Sequence, residues 1–215
     1  TLDDHKSSVC SLAFSSDSCH LATGSFDKTV KLWHTKTWKC HQTINTGFSC
    51  SIFHLEFSPD GNYLAGSGTH ECMWIWLAQT GECIKVLKRK SDVNDYKNSS
   101  DDKDVFAFTK DGKHIIRAAY NGVEITHVGT WDHVKTLTCH DNNKCINDIA
   151  ISPDGKYFAT GSSDKSTKLW STSTWELEQT CRQYYQNIKS VSFSPDGKRF
   201  VSRYGTGMDI WAVSK

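Results

Sequence analysis

The chain has 215 residues, 37% hydrophobic and 23% charged, and its 25 basic against 24 acidic side chains leave a formal charge of +1. That length allows one domain with a sizeable core, and the composition is that of a globular protein rather than a disordered one. The charge balance supplies no long-range field for gathering nucleic acid or an anionic membrane surface, and no run of about 18 apolar residues predicts a spanning helix.

In chain order, one phrase returns five times: Phe14-Ser15-Ser16-Asp17, Phe57-Ser58-Pro59-Asp60-Gly61, Phe108-Thr109-Lys110-Asp111-Gly112, Ile151-Ser152-Pro153-Asp154-Gly155 and Phe193-Ser194-Pro195-Asp196-Gly197. Its aspartates lie 43, 51, 43 and 42 residues apart. A second anchor follows each copy: Val30-Lys31-Leu32-Trp33, Trp74-Ile75-Trp76, Val123-Glu124-Ile125-Thr126, Thr167-Lys168-Leu169-Trp170 and Asp209-Ile210-Trp211. Ser-Pro-Asp-Gly between apolar runs places proline at the second corner of a type I turn and glycine at the fourth, so each copy opens with a hairpin. The fourth copy predicts strand a over Ile146–Ser152, b over Tyr157–Ser162, c over Ser166–Trp170 and d over Glu176–Cys181. No 3.6-residue amphipathic pattern competes with this reading.

With both anchors keeping their spacing at a period of about 40–45 residues, the chain resembles the WD-repeat family of β-propellers over essentially its whole length. The resemblance implies an all-β fold, a β-propeller of four-stranded antiparallel blades. Five WD-type repeats form one domain over 1–215, with blades at about 1–44, 45–87, 88–137, 138–181 and 182–215. The chain opens on Thr1 and ends just after strand c of the fifth copy, while Thr1-Leu2 read as the end of a strand d. A seven-bladed ring is therefore expected, with about two copies, on the order of 85 residues, outside this stretch; a closed five-blade ring is the alternative. An open ring would bare the flanks of blades 1 and 5 and invite self-association.

Ser, His and Asp together suggest a nucleophilic triad, and His140, Asp164 and Thr160 or Ser162 supply the types. The resemblance implies a structural role instead: a histidine of the d-to-a loop bridges a strand-b hydroxyl to the aspartate of the b-to-c turn, and that hydroxyl partners the strand-c indole, here Trp170. His5, Asp27, Trp33 and Thr23 or Ser25 form the first copy's version. The other copies depart from it, with His70 or Asn121 in the aspartate position, Thr126 for tryptophan and Arg182 in the histidine register. Trp76 and Trp211 are the remaining strand-c core indoles. No catalytic residue is expected.

In the resembled family the d-to-a and b-to-c loops share a rim that meets partners, and loops on a rigid scaffold can vary at no cost to the core. Phe26, Tyr120, Tyr184 and Tyr185 fall on those loops, and large aromatics supply binding energy at low entropic cost. Any one of them can equally pack on its neighbouring loop; four on one rim favour a contact set. The polar insertion from Lys88 to Asp104 is expected to be a mobile loop there, with Ser99 and Ser100 as candidate phosphorylation sites. The strand-a registers Ser11, His54, Val105, Asp148, Ser190 and Ala13, Glu56, Ala107, Ala150, Ser192 hold scattered charges, not a ligand ring.

The function expected is therefore a scaffold or adaptor binding proteins or peptides. A nucleic-acid or phosphoinositide binder ranks second on the Lys85–Lys90 cluster, and a channel hydrolase last. Nine cysteines without a C-x-x-C pair, including Cys40, Cys83 and Cys181 read as small buried fillers, favour a reducing compartment, cytoplasmic or nuclear rather than secreted. That reading opposes glycosylation at Asn98. His70 with Cys72, and Cys139, His140 and Cys145, lack paired zinc-ligand spacing, so neither metal nor cofactor is expected.

Overall fold

The repeated phrase closes the same turn in all five copies of the computed structural model. The amide of Gly61 donates to Ser58 O at 2.8 Å, and those of Gly112, Gly155 and Gly197 repeat the bond to Thr109, Ser152 and Ser194 at 2.9 Å. The hydroxyl of Ser15, Ser58, Thr109, Ser152 or Ser194 then accepts the amide five residues on at 2.9–3.1 Å. Each a–b hairpin is thus locked by its own side chain before any tertiary contact forms.

The structure describes residues 2–46, 51–68, 72–88, 105–119, 122–138, 140, 144–182 and 186–213. Tyr120, Tyr184, Tyr185, His70, Asn121, Cys139 and the stretch 89–104, with Asn98, Ser99 and Ser100, lie outside them. No helix of the described residues is long and apolar enough to cross a membrane.

Two compact units divide the chain, Thr1–Lys97 and Asn98–Lys215. The first holds two four-stranded antiparallel sheets: blade 1, β1 (Val9–Phe14), β2 (His20–Ser25), β3 (Thr29–His34) and β4 (Lys39–Asn45), and blade 2, β5 (Ile52–Phe57), β6 (Tyr63–Gly68), β7 (Cys72–Leu77) and β8 (Cys83–Lys88). The second holds blade 3, β9 (Phe106–Phe108), β10 (His114–Ala119), β11 (Gly122–His127) and β12 (His133–Thr138), and blade 4, β13 (Ile146–Ile151), β14 (Tyr157–Ser162), β15 (Ser166–Ser171) and β16 (Leu177–Arg182). Blade 5 has three strands among the described residues, β17 (Ile188–Phe193), β18 (Arg199–Tyr204) and β19 (Gly207–Ala212). The strands read from the fourth copy agree with β13–β16 to within a residue at each end.

Alternation along the strands gives every sheet two apolar faces, and the cores lie between sheets rather than within them. In the first unit Ala22, Val30, Leu32 and Ile44 of blade 1 share a core with Ile52, Leu55 and Phe57 of blade 2. In the second, Ile116, Val123, Ile125 and Leu137 of blade 3 do so with Ile146 and Ile149 of blade 4, and Ala159, Leu169 and Cys181 of blade 4 with Ile188 and Val191 of blade 5. Full burial of one such aliphatic side chain contributes about 1.5–3 kcal/mol.

The cysteines correct one expectation. Cys181 is buried, but Cys40 is half-buried and Cys83 exposed. Cys40 and Cys83 pair with Trp33 and Trp76, whereas Cys181 pairs with Thr167 and so takes the inward place of Ile44, which pairs with Val30. One register step on an outer strand separates the two faces.

Gly155 has φ of +74° and a Cβ there would stand 2.8 Å from Lys110 Cβ, while Gly197, at +68°, has only Pro153 Cδ at 3.7 Å. Replacement by alanine is expected to cost about 2 kcal/mol at Gly155 and about 1 kcal/mol at Gly197, the left-handed backbone accounting for the shared part. Equal losses on denaturant unfolding would remove the Lys110 contact from the argument.

Candidate functional site

A buried indole N–H can only donate, so it fixes the direction of whatever chain of hydrogen bonds it enters. In blade 1 Trp33 Nε1 donates to Thr23 Oγ1 at 2.9 Å, Thr23 Oγ1 lies 2.7 Å from His5 Nε2, and His5 Nδ1 lies 2.8 Å from Asp27 Oδ2. Having accepted from Trp33, the Thr23 hydroxyl donates its O–H to Nε2, which leaves Nδ1–H to donate to the carboxylate. Blade 4 repeats the set: Trp170 Nε1 to Thr160 Oγ1 at 3.2 Å, Thr160 Oγ1 to His140 Nε2 at 2.9 Å and His140 Nδ1 to Asp164 Oδ2 at 2.7 Å.

The hydroxyls used are those of Thr23 and Thr160. Ser25 and Ser162 brace the b–c turns instead, accepting the amides of Asp27 and Asp164 at 3.0 and 3.1 Å and donating to Ser7 O and Cys145 O at 3.2 and 2.9 Å. The other blades fill the Thr23 register differently. Gly66 stands there in blade 2, where a Cβ would lie 2.6 Å from Trp76 Cζ3, and the Trp76 ring stacks at 6.3 Å on Trp74. Ser202 accepts from Trp211 Nε1 at 2.8 Å in blade 5.

Blade 3 places Arg117 at this register, buried and donating through Nη2 to Glu124 Oε2 at 2.7 Å from the paired strand. Sequence reasoning missed this ion pair, although a glutamate between Val123 and Ile125 was its visible signal.

The carboxylates of the two complete sets are strongly acidic. Burial alone would raise Asp27, but the Thr29 hydroxyl, the Lys6 amide and the His5 imidazole together hold it far below the usual range. Burial is likewise outweighed at Asp164 by His140 and Ser166. Chemically these groups are spent: Thr160 and His140 are buried, with every polar atom of the set already partnered, so no substrate reaches the hydroxyl.

What the blade-1 set does is pin the b–c turn that carries Phe26. The Phe26 amide donates to Ser8 O at 3.0 Å, the Lys6 amide to Asp27 Oδ2 at 2.8 Å, and Thr29 closes on Asp27 Oδ1 through its amide and its hydroxyl at 3.0 and 2.6 Å. On that fixed turn the Phe26 ring is 46% exposed and meets Phe53 edge-on, centroids 5.6 Å apart. Phe53 was not singled out in the sequence, because it belongs to the next repeat. The matching turn of blade 4 is polar: Asn147 Nδ2 donates to Ser163 Oγ at 3.0 Å and to Ile188 O at 2.6 Å.

The strand-a register also acquires a use. Ser11 Oγ accepts the Leu55 amide at 2.9 Å, and Asp148 Oδ2 accepts the Ser190 hydroxyl and the Val191 amide, both at 2.8 Å. These side chains clip one blade to the next. Burial raises Asp148 despite those donors, and pushes His54 in the same register down to about 4.

Comparison with known proteins comes to the same architecture. The family model for the WD domain, G-beta repeat, matches residues 1–34, 36–76 and 131–171. Eukaryotic translation initiation factor 3 subunit I of Aspergillus terreus is 32% identical over 184 residues, 80% of this chain and 52% of that protein. Its counterpart in Pyricularia oryzae is 29% identical over 190 residues, covering 84% and 53%. Protein hir1 of Schizosaccharomyces pombe is 26% identical over 218 residues, covering 85% and 22%. The chain thus spans about half the length of the initiation-factor relatives.

Two outcomes test these assignments. Trp170→Ala is expected to lower stability by about 3–5 kcal/mol, as loss of a large core aromatic does, and an unchanged melting curve would remove Trp170 from the core. Acid has a two-stage effect. His54 has its folded pKa below the ordinary 6.5, so the unfolded chain takes up its proton first and stability falls between pH 6.5 and about 4. For a half-buried side chain this amounts to about 1–3 kcal/mol. Asp27 and Asp164, with depressed folded values, give stability that is present above their ordinary 3.8 and lost below it. His54→Gln should shrink the first stage of a pH series of denaturation midpoints, to which the imidazoles of His41 and His114, also lowered by burial, contribute the remainder, and leave the second.

Proposed function

The chain belongs to the WD-repeat family, and on that premise we propose that it is a protein-interaction scaffold that takes its partner on the rim of b–c turns and d–a loops. The observation that carries this reading is Phe26: a large aromatic, half in solvent, on a turn held by a network of hydrogen bonds from residues 5 to 8 and 25 to 29. An exposed aromatic on a preordered turn binds without the entropy loss of ordering a loop, which is the chemistry of an interface anchor. Tyr120, Tyr184 and Tyr185 belong to the same proposed contact set on their sequence positions.

The reading is non-catalytic, because the His–Asp–hydroxyl sets are consumed in tying strands. Relatives named as a subunit of an initiation factor are by that name parts of an assembly, which supports protein partners. The seven described cysteines are free, in keeping with a cytoplasmic or nuclear setting.

The test is recovery of partners from a cell lysate, wild type against a folded Phe26→Ala/Tyr120→Ala/Tyr184→Ala/Tyr185→Ala variant. Loss of a specific protein partner is expected, with Phe26→Ala alone weakening that partner's binding by about tenfold or more. Equal recovery by both proteins would move the site off this rim.

A further inference from the structure

The c–d turns of the four-stranded blades each close through one left-handed residue. The amides of Trp38, Gly81, Trp131 and Trp175 donate to His34 O, Leu77 O, His127 O and Ser171 O at 2.7–3.1 Å, and their φ values are 53°, 66°, 60° and 59°. In blade 4 the indole carried there reaches back onto blade 3, where Trp175 meets His114 edge-on at 5.2 Å and His114 meets His127 at 5.6 Å. A ring that takes no proton closes that corner.

The matching corner of blade 1 is closed differently. Blade 2 has Gly81 in the place of the indole, and Gln42 of β4 takes the space beside it, its amide donating to Thr80 O. His41 stands against His20 instead, ring centroids 5.4 Å apart, and His34, the ladder partner of His20, lies 5.7 Å from the same ring. By the alternation of the strands, His20 and His34 share the face of Ala22 and Leu32, which packs on blade 2, so the group sits on an internal seam of the first unit. His20 and His34 are half-buried and His41 is exposed, so water reaches all three. Three imidazoles from three adjacent strands thus stand where blade 3 has two imidazoles and an indole.

We propose that this corner is an acid-sensitive latch: neutral His20, His34 and His41 hold the outer strand β4 and the turn before it on the seam, and protonation of the group frees them. Histidine is the side chain whose charge changes in mildly acidic water. Neutral rings packed edge-on at 5.4–5.7 Å attract one another, whereas two imidazolium charges at that spacing repel. His34 adds a geometric reason, because its Nδ1 accepts the Lys36 amide at 3.3 Å. A proton taken up there removes that bond from the turn. The b–c turn of Phe26 lies at the other end of β3, so the latch stands or falls apart from the scaffold reading.

The charges around the group do not offset three protons. Asp17, on the a–b turn, is lowered by the Ser15 hydroxyl and the Cys19 amide and further by the charge of His20, so one carboxylate already acts on that ring. Lys36 and Lys39 on the c–d turn add positive charge, and Glu82 on the blade-2 turn is exposed to solvent. His41 is held below its ordinary 6.5 by burial, then by His20 and His34. Its folded value lies under the unfolded one, so an opened segment takes the proton first; the latch is closed above pH 6.5 and loosens as the pH falls below it. The blade-3 corner has one imidazole fewer and its own carboxylate, Asp111, beside His114. Acid therefore strains it less.

Hydrogen exchange on the whole chain at about pH 7.5 and about pH 5.5, with rates corrected for the chemical pH dependence of exchange, reads the latch strand by strand. On going to the lower pH the amides of β4 are expected to lose about tenfold more protection than those of β12, the effect of one pKa unit between closed and open states. His41→Gln, and His41→Trp with the kind of ring that closes the blade-3 corner, should each bring that difference to about twofold or less. Gln tests the charge even where the larger indole disturbs the strand. Protection of β4 that does not change with pH in the wild type overturns the proposal, as does an undiminished difference in His41→Gln. Equal losses in β4 and β12 overturn it too, because they mark a destabilisation of the whole fold, such as His54 produces, and not a local release.

Discussion

A four-stranded antiparallel meander has two apolar faces and no interior, so a single blade cannot bury what its strands present. Every other feature of this protein depends on the answer to that constraint, which is a repeated sheet-to-sheet register. Aliphatic first-strand residues such as Ile52, Leu55 and Ile188 lie against the small and branched residues of the preceding second and third strands, Ala22, Leu32, Ala159 and Leu169. Because the side-chain period of a strand is two, any slip would turn both faces to water at once. The hairpin locks at Ser58, Thr109, Ser152 and Ser194 set that register locally.

Stacking of this kind buries polar groups along with apolar ones, and a buried donor or acceptor left unmade costs more than a typical bond contributes. The second-strand register shows how loosely the remedy is specified. Thr23 and Thr160 serve an indole and an imidazole, Ser202 an indole alone, Arg117 a glutamate, and Gly66 removes the need by giving the place to a ring. What is constant is a satisfied or empty position, not a residue type. Ser11 and Asp148 follow the same rule between blades, accepting the amides of Leu55 and Val191.

Much of this was legible in the sequence. The five turn phrases and the third-strand anchors determined strand number and order, and the fourth copy predicted β13–β16 almost to the residue. Members of the two complete polar sets could be named because the family resemblance implies them at these positions, but Thr23 could not be separated from Ser25, since both hydroxyls fall on one face of the strand. Arg117–Glu124 and Phe26–Phe53 were missed for a different reason: one replaces the repeated pattern, and the other joins residues of two repeats. Cys40 and Cys83 misled because equal spacing along an outer strand does not say which face is covered.

The polar set of blade 1 also links the stability of the fold to the order of one exposed turn. Its histidine comes from the segment before β1, its hydroxyl from β2, its indole from β3 and its carboxylate from the turn that presents Phe26. Holding that turn is therefore a by-product of satisfying a buried tryptophan, and its order is established on folding rather than on binding. On the proposed reading, a partner reaching Phe26 would meet a side chain whose backbone entropy has already been removed, so more of the contact energy would remain as affinity. The turn of blade 4 has the same frame but ends in Ser163 and Asn147, which are occupied with one another and with Ile188 O. Identical frames with unlike tips are how a repeat scaffold distinguishes one stretch of its rim from the next, and in the described residues the aromatic tip belongs to blade 1.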